Sequence, residues 1–117
     1  MNDIKIKSVE SYWARIYMAG DLTLARQICR EYCTAIGLCV NFTETEYLYK
    51  YGQESGFVVE LMHYPRFPSD AATIYAKAEE LGMKLMERLC QRSFSILAPD
   101  KTNWYFREGC YGSLSRL

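Results

Sequence analysis

The chain has 117 residues, half of them hydrophobic, which is enough for one domain with a real core. Its 14 basic and 14 acidic residues cancel, and this balance disfavours a nucleic-acid-binding protein, which would need Lys and Arg contacts to phosphate. No apolar run approaches the roughly 20 residues that cross a bilayer, and no N-terminal secretion signal is present. We therefore expect one cytoplasmic domain over residues 1–117, an irregular tail over 109–117, and neither a nucleic-acid nor a membrane partner.

The five cysteines are an odd number, which together with the missing signal indicates reduced thiols. Cys29 and Cys33 are spaced to share one face of a helix, and Cys39 follows closely. No CxxC pair exists and His63 is the only imidazole, so buried core thiols are favoured over metal ligands. We expect no metal and no cofactor.

The first half of the chain predicts a strand, a helix and a hairpin. "SVESYWARIYMAG" alternates as a strand does, Asp21 caps the following helix, and Gly37 ends it. "LCVNFTETEYLYKY" and "FVVELMHY" are rich in β-forming residues and predict two strands joined by a turn at "GQESG". The inner stripe of the helix is expected to include Leu24, Ile28, Tyr32 and Ile36.

The second half predicts another helix and a final strand. Ser69 or Asp70 caps "AATIYAKAEELGMKLMERLCQR", in which Gly82 is expected to allow close packing against the sheet. "SFSILAPD" predicts a short strand, and "TNWYFRE" either extends it past a bend at Pro99 or forms a separate edge strand. The order β-α-β-β-α-β predicts an α+β, ferredoxin-like fold, with an antiparallel sheet and two helices on one of its faces. The apolar stripe of the second helix is Ile74, Ala78, Leu81, Leu85 and Leu89.

The stretch "HYPRFP" predicts a stiff, extended corner, because each proline removes a donor and restrains the residue before it. The favoured interpretation is a rigid connection with Phe67 tucked into the core. The alternative is that Tyr64, Arg66 and Phe67 form part of a binding rim.

Motifs for covalent or phosphate chemistry are missing. The sequence contains no G-x-S-x-G, P-loop, Rossmann or H-E-x-x-H pattern. His63 is the only imidazole that could serve as a base, and its place near a strand end favours a structural role. An enzyme that uses a cysteine or His63 stays a minor alternative. We interpret the chain as a protein without enzymatic activity.

The aromatic content points to binding instead, since ten tyrosines and two tryptophans are present and such residues are enriched at protein interfaces. The alternative is that they only cover a half-buried sheet. Stacking of RNA on the sheet is disfavoured because Val59 stands where a second aromatic residue is needed and Glu60 adds negative charge. The candidate partner-binding residues are Glu44, Glu46, Tyr47, Tyr49, Tyr51 and Glu54 on the hairpin, Trp13, Arg15, Glu60 and Met62 on the open sheet face, and Arg66.

Two segments, "EYLYKYGQESGFVVELMHYPRFP" and "SFSILAPDKTNWYFRE", resemble bacterial immunity proteins of the TriTu type, by a pattern that covers residues 38–108. The resemblance implies a cytoplasmic antitoxin that binds a cognate toxin protein and occludes its active site. The toxin would be an ADP-ribosyltransferase domain of a polymorphic Rhs protein delivered by type VI secretion. The alternatives are a phage-type inhibitor of a host defence complex and a ferredoxin-like regulatory domain that binds a ligand or RNA.

Overall fold

The chain alternates strands and helices as its sequence pattern predicts, with one additional strand at the end. The structure is a computed structural model, and it describes residues 3–109. The elements are β1 (Trp13–Ala19), α1 (Leu22–Ile36), β2 (Asn41–Tyr49), β3 (Gly52–Met62), α2 (Ala71–Arg88), β4 (Ser93–Leu97) and β5 (Thr102–Phe106).

The strands form one antiparallel sheet in the order β2-β3-β1-β4-β5. The first four follow the split βαβ arrangement, so the predicted α+β, ferredoxin-like fold is confirmed. The fifth strand settles the two alternatives for "TNWYFRE": it is a separate edge strand that pairs Thr102 with Leu97. A hydrogen bond of 2.9 Å from the Ala98 N–H to the Lys101 C=O closes the turn between them.

Both helices begin at an aspartate. The Asp21 carboxylate accepts from the Leu24 N–H at 2.9 Å, and Asp70, rather than Ser69, accepts from the Thr73 N–H at 2.8 Å. At the end of α1, Gly37 takes the left-handed conformation (φ 77°) that its lack of a side chain allows. The caps predicted from the sequence are therefore confirmed.

The core lies between the helices and one face of the sheet, and its largest fully buried side chains include Ile16, Phe57 and Phe94. The expected close packing at Gly82 is confirmed, because a Cβ there would lie 2.5 Å from Cε2 of Phe94. The stripe of α2 is buried as predicted.

The predicted inner stripe of α1 is only partly correct. Ile36 is 43% exposed, so that prediction is wrong, whereas Leu24 is half-buried and packs against the core. Ala25, Ile28, Cys29 and Tyr32 form the buried stripe. Both stripes have helical spacing, and the approach of α1 to α2 selects the one that contains small side chains.

The predicted turn at "GQESG" is also wrong. Tyr49 pairs with Gly52, so the turn consists of Lys50 and Tyr51, and the glycine-rich segment belongs to β3. The ring of Tyr49 occupies the space beside Gly52, where a Cβ would lie 2.5 Å from Cε2 of the tyrosine. These glycines therefore accommodate tyrosine rings within the sheet.

Neither helix between residues 3 and 109 is long and apolar enough to cross a membrane. The predicted irregular tail falls, from residue 110 onwards, outside the described residues.

Candidate functional site

A cavity of about 460 Å³ opens where β2 begins and β3 ends. The β2–β3 hairpin ends at the pair Asn41 and Glu60, so the last residues of β3, up to Met62, have no β2 partner. Loop 37–40 and loop 64–69 occupy that place and form the walls. The volume lies in the range of small-molecule sites, roughly 300–1,000 Å³.

Most of the cavity wall is apolar, and Leu38, Val40, Met62 and Ile74 contribute to it. The polar side chains among the described lining residues include Asn41, Glu60 and Ser69. An apolar wall with a few convergent polar groups is typical of sites for small organic ligands.

Glu60 is the charged group of this cavity among the described lining residues, and both of its oxygens are held. Oε2 accepts from Nε of Arg15 at 2.6 Å, and Oε1 accepts from Nδ2 of Asn41 at 3.2 Å. The hydrogen bond to Glu60 raises the pKa of Arg15, whose guanidinium also lies 4.0 Å from the ring centroid of Trp13. The cavity thus presents a carboxylate in one fixed orientation.

Two aromatic rings stand at the rim. Tyr64 and Phe67 meet edge to face with their centroids 6.1 Å apart, and a hydrogen bond of 2.9 Å from the Phe67 N–H to the Tyr64 C=O closes the loop between them. Phe67 is 65% exposed, so the expectation that it is tucked into the core is wrong. The tight turn between two prolines directs the ring outwards, as the rim alternative expected. Arg66 lies over the Phe67 ring at 5.3 Å.

The predicted sheet-face residues come together on the open face. Trp13 pairs with Met62 and Arg15 pairs with Glu60 across neighbouring strands. Glu60 and Met62 also line the cavity, which connects this face to the candidate site.

The predicted hairpin residues do not share one surface. Glu44 and Glu46 lie on the helix-facing side of β2, where Glu44 is paired with Arg26 of α1. The cross-strand pair Tyr47 and Glu54 lies on the opposite side with Tyr49, because neighbouring strand residues alternate in direction. Tyr51 stands at the turn and is 96% exposed. A partner-binding role for either set stays a prediction.

The cavity residues that sequence reasoning did not propose for binding are Gly37, Leu38, Cys39, Val40, Asn41, Ser69 and Ile74. They come from three separated segments, and only the register of the hairpin brings Asn41 opposite Glu60. A correctly placed turn at Lys50 and Tyr51 would have predicted that pair.

Within residues 3–109, no cluster of three His, Cys, Asp or Glu side chains is arranged to hold a metal ion. Burial raises the pKa of the Cys29 thiol to about 12 and, less strongly, the pKa of Cys33. Cys39 is exposed.

No family model and no curated protein matches the chain. Among solved structures it is similar to a phage SAM lyase in complex with S-methyl-5'-thioadenosine, with a TM-score of 0.63 and 12% identity over 91% of this chain and 97% of that one. It is also similar to a phage SAM lyase in the apo state, with a TM-score of 0.59 and 14% identity over 83% of this chain and 90% of that one. At identities this low, the structural likeness shows a shared fold alone.

These structures overturn the interpretation that the chain has no enzymatic activity, since both similar structures are of an enzyme. The exclusion rested on missing nucleophile and phosphate motifs. A lyase breaks a bond without hydrolysis or oxidation, so those motifs do not test for one. The comparisons do not bear on the resemblance to immunity proteins, which stays a prediction.

Proposed function

We propose that the chain is an enzyme that binds S-adenosylmethionine (SAM) in the Glu60 cavity and cleaves a carbon–sulfur bond of its sulfonium, releasing S-methyl-5'-thioadenosine. The observation that carries the proposal is a carboxylate fixed by Arg15 and Asn41 in a mostly apolar cavity with an aromatic rim. The fold shared with SAM lyase supports it.

The cavity matches the parts of this ligand. The rings of Tyr64 and Phe67 provide a surface on which a planar adenine stacks. The carboxylate of Glu60 attracts the cationic half, which contains a sulfonium and an ammonium group. The apolar side chains of Leu38 and Val40 suit the methyl and methylene groups around the sulfur.

The proposed reaction needs no nucleophile from the protein. The hydrogen bonds from Arg15 and Asn41 leave lone pairs free on Glu60, so its carboxylate can contact the cation, and the step needs no base. The ligand's own carboxylate oxygen attacks the γ-carbon, the C–S bond breaks, and its electron pair goes to sulfur. The products are neutral S-methyl-5'-thioadenosine and homoserine lactone, which keeps the ammonium charge. No proton is gained or lost.

An apolar wall favours this step. A carboxylate and a sulfonium neutralise each other as the new bond forms, so a weakly polar surrounding raises the free energy of the charged reactant more than that of the transition state. Holding the flexible chain of the ligand in a bent conformation lowers the entropic part of the barrier.

The test is to incubate the purified chain with SAM and to follow S-methyl-5'-thioadenosine and homoserine lactone by liquid chromatography and mass spectrometry. Glu60→Gln is expected to lower kcat/KM by about tenfold or more, because one lost charge contact of this kind is worth 1.5–3 kcal/mol, roughly. Glu87→Gln, the same change at an exposed position of α2, is the matched control. Circular dichroism checks that each variant is folded.

A second variant pair tests the rim. Phe67→Ala is expected to weaken binding of S-methyl-5'-thioadenosine in calorimetry by about tenfold, whereas Phe67→Tyr keeps the ring and the affinity. Phe67 is mostly exposed, so its replacement leaves the core intact. A folded chain that neither binds this nucleoside nor releases it from SAM would refute the proposal.

A further inference from the structure

His63 bridges two segments of the chain with its imidazole ring. Its Nδ1 lies 2.7 Å from the backbone oxygen of Glu10, and its Nε2 accepts from the backbone N–H of Ser69 at 3.1 Å. A backbone N–H can only donate and a backbone oxygen can only accept. The ring is therefore neutral, with its proton on Nδ1, and both nitrogens are occupied.

The two bridged segments are the N-terminal stretch before β1 and loop 64–69. The backbone N–H of His63 also donates to the Tyr12 C=O at 2.8 Å, which fixes the backbone from which the ring extends. Loop 64–69 carries Tyr64, Phe67 and Ser69, which line the Glu60 cavity. The Ser69 bond thus connects His63 directly to a wall of that cavity.

A second cavity, of about 440 Å³, lies on the other side of Ser69 and is lined by His63. The titratable groups that line it besides His63 are Glu10, Tyr12 and Asp70. Hydrogen bonds from the Thr73 N–H and hydroxyl lower the pKa of Asp70. The Asp70 carboxylate can thus act as a counter-charge beside the ring.

We propose that His63 is a pH-sensitive positioning residue, which holds loop 64–69 against the Glu60 cavity when neutral and releases it when protonated. A second proton can only go to Nε2, where it faces the Ser69 N–H, so donor then meets donor and the bond is lost. The charged ring keeps the Glu10 bond and gains attraction to Asp70. Loop 64–69, which carries the aromatic rim, then loses the hydrogen bond that joins Ser69 to the His63 ring.

The role of the loop in ligand binding rests on the proposed function, but its release by acid does not. The first measurement is therefore made without ligand, by ¹⁵N nuclear magnetic resonance of the wild-type protein. At about pH 7.5 the imidazole spectrum is expected to show Nδ1 protonated and Nε2 bare, and towards about pH 5.5 the Ser69 amide peak is expected to move with the imidazole peaks. The Tyr51 amide, in the hairpin turn at the opposite end of β3, is the internal control.

The matched variant is His63→Gln, whose amide offers one donor and one acceptor but does not titrate in this range. Its Ser69 amide peak is expected to stay in place over the same pH interval. A neutral ring protonated on Nε2, or a Ser69 peak that moves equally in both proteins, would overturn the proposal.

The second measurement is the affinity for S-methyl-5'-thioadenosine, a ligand without a charge at either pH. The dissociation constant of the wild type is expected to rise about tenfold from about pH 7.5 to about pH 5.5, as for one lost hydrogen bond, while that of His63→Gln changes little. Equal pH dependence in the two proteins would overturn the positioning role. If the nucleoside does not bind at either pH, the proposed function fails, and the Ser69 peak still decides whether His63 releases the loop.

Discussion

The hydroxyl of Tyr105 donates to Oε2 of Glu79 at 2.7 Å and so connects edge strand β5 to α2. Its oxygen accepts in turn from the Tyr75 hydroxyl at 2.7 Å, and the Tyr75 oxygen accepts from Nδ2 of Asn103 at 2.7 Å. All donors in this chain of hydrogen bonds therefore point towards one carboxylate. Burial raises the pKa of Tyr105, which keeps its proton available for the bond.

Tyr105→Phe removes the donor to Glu79 and the acceptor for Tyr75. We expect the free energy of unfolding to fall by about 1–3 kcal/mol, because two partly buried polar groups lose their partner. Denaturant unfolding followed by circular dichroism measures the change. Tyr51→Phe makes the same chemical change at the exposed hairpin turn and is expected to leave the free energy of unfolding nearly unchanged. Equal losses in the two variants would contradict a structural role for the Tyr105 hydrogen bonds.

Gly82→Ala is expected to destabilise the protein by about 1–3 kcal/mol, although alanine favours a helix over glycine by about 1 kcal/mol. The new methyl would stand 2.5 Å from Cε2 of the buried Phe94 ring. Thermal unfolding of Gly82→Ala, Phe94→Leu and the double variant measures the coupling. The double variant should be more stable than the sum of the single effects predicts, and strict additivity would show that the clash is absent.

Asp70 is expected to make stability depend on pH through the cap of α2. Hydrogen bonds from the Thr73 N–H and hydroxyl lower its pKa in the folded state, so its contribution is present above the ordinary carboxyl pKa. That contribution is lost as the pH falls through the lowered value. Thermal unfolding of wild type and Asp70→Asn from about pH 6 to about pH 3 should show the difference between them shrinking in acid. A constant difference would contradict the ionised cap.

The described cysteines are expected to react with iodoacetamide in an order set by burial. Cys29 is buried and its pKa is raised to about 12, whereas Cys39 and Cys90 are exposed. Since the thiolate is the reacting species, Cys29 should be alkylated last at about pH 8 in the folded protein. Peptide mass spectrometry over time gives the order, and denatured protein is the control in which the differences disappear. Early labelling of Cys29 would contradict its burial.

Strand faces and helix caps were predictable because they depend on local patterns. Ala14, Ile16 and Met18 alternate with half-buried neighbours, and Asp21 and Asp70 precede amphipathic runs. The position of the hairpin turn was not predictable, because "GQESG" has the composition of a turn. Only the folded sheet shows that its glycines make room for the rings of Tyr47 and Tyr49.

The candidate site was predictable in part. Glu60 and Met62 were candidate binding residues, and Tyr64 and Phe67 belonged to the rim alternative for the proline corner; all four line the cavity. The cavity itself was not predictable, because its walls come from segments whose proximity depends on hairpin register.

By itself, the sequence determined the order of the elements, their caps, the buried faces of β1, β3 and α2, and the stiffness of the proline corner. These depend on neighbours within a few residues, where backbone preference and side-chain period decide the outcome. Only the tertiary structure decided which stripe of α1 is buried, where the hairpin turns, that Arg15 and Asn41 hold Glu60, and that His63 bridges Glu10 and Ser69. These are contacts between residues far apart in the chain, and their geometry depends on the packing of the whole sheet.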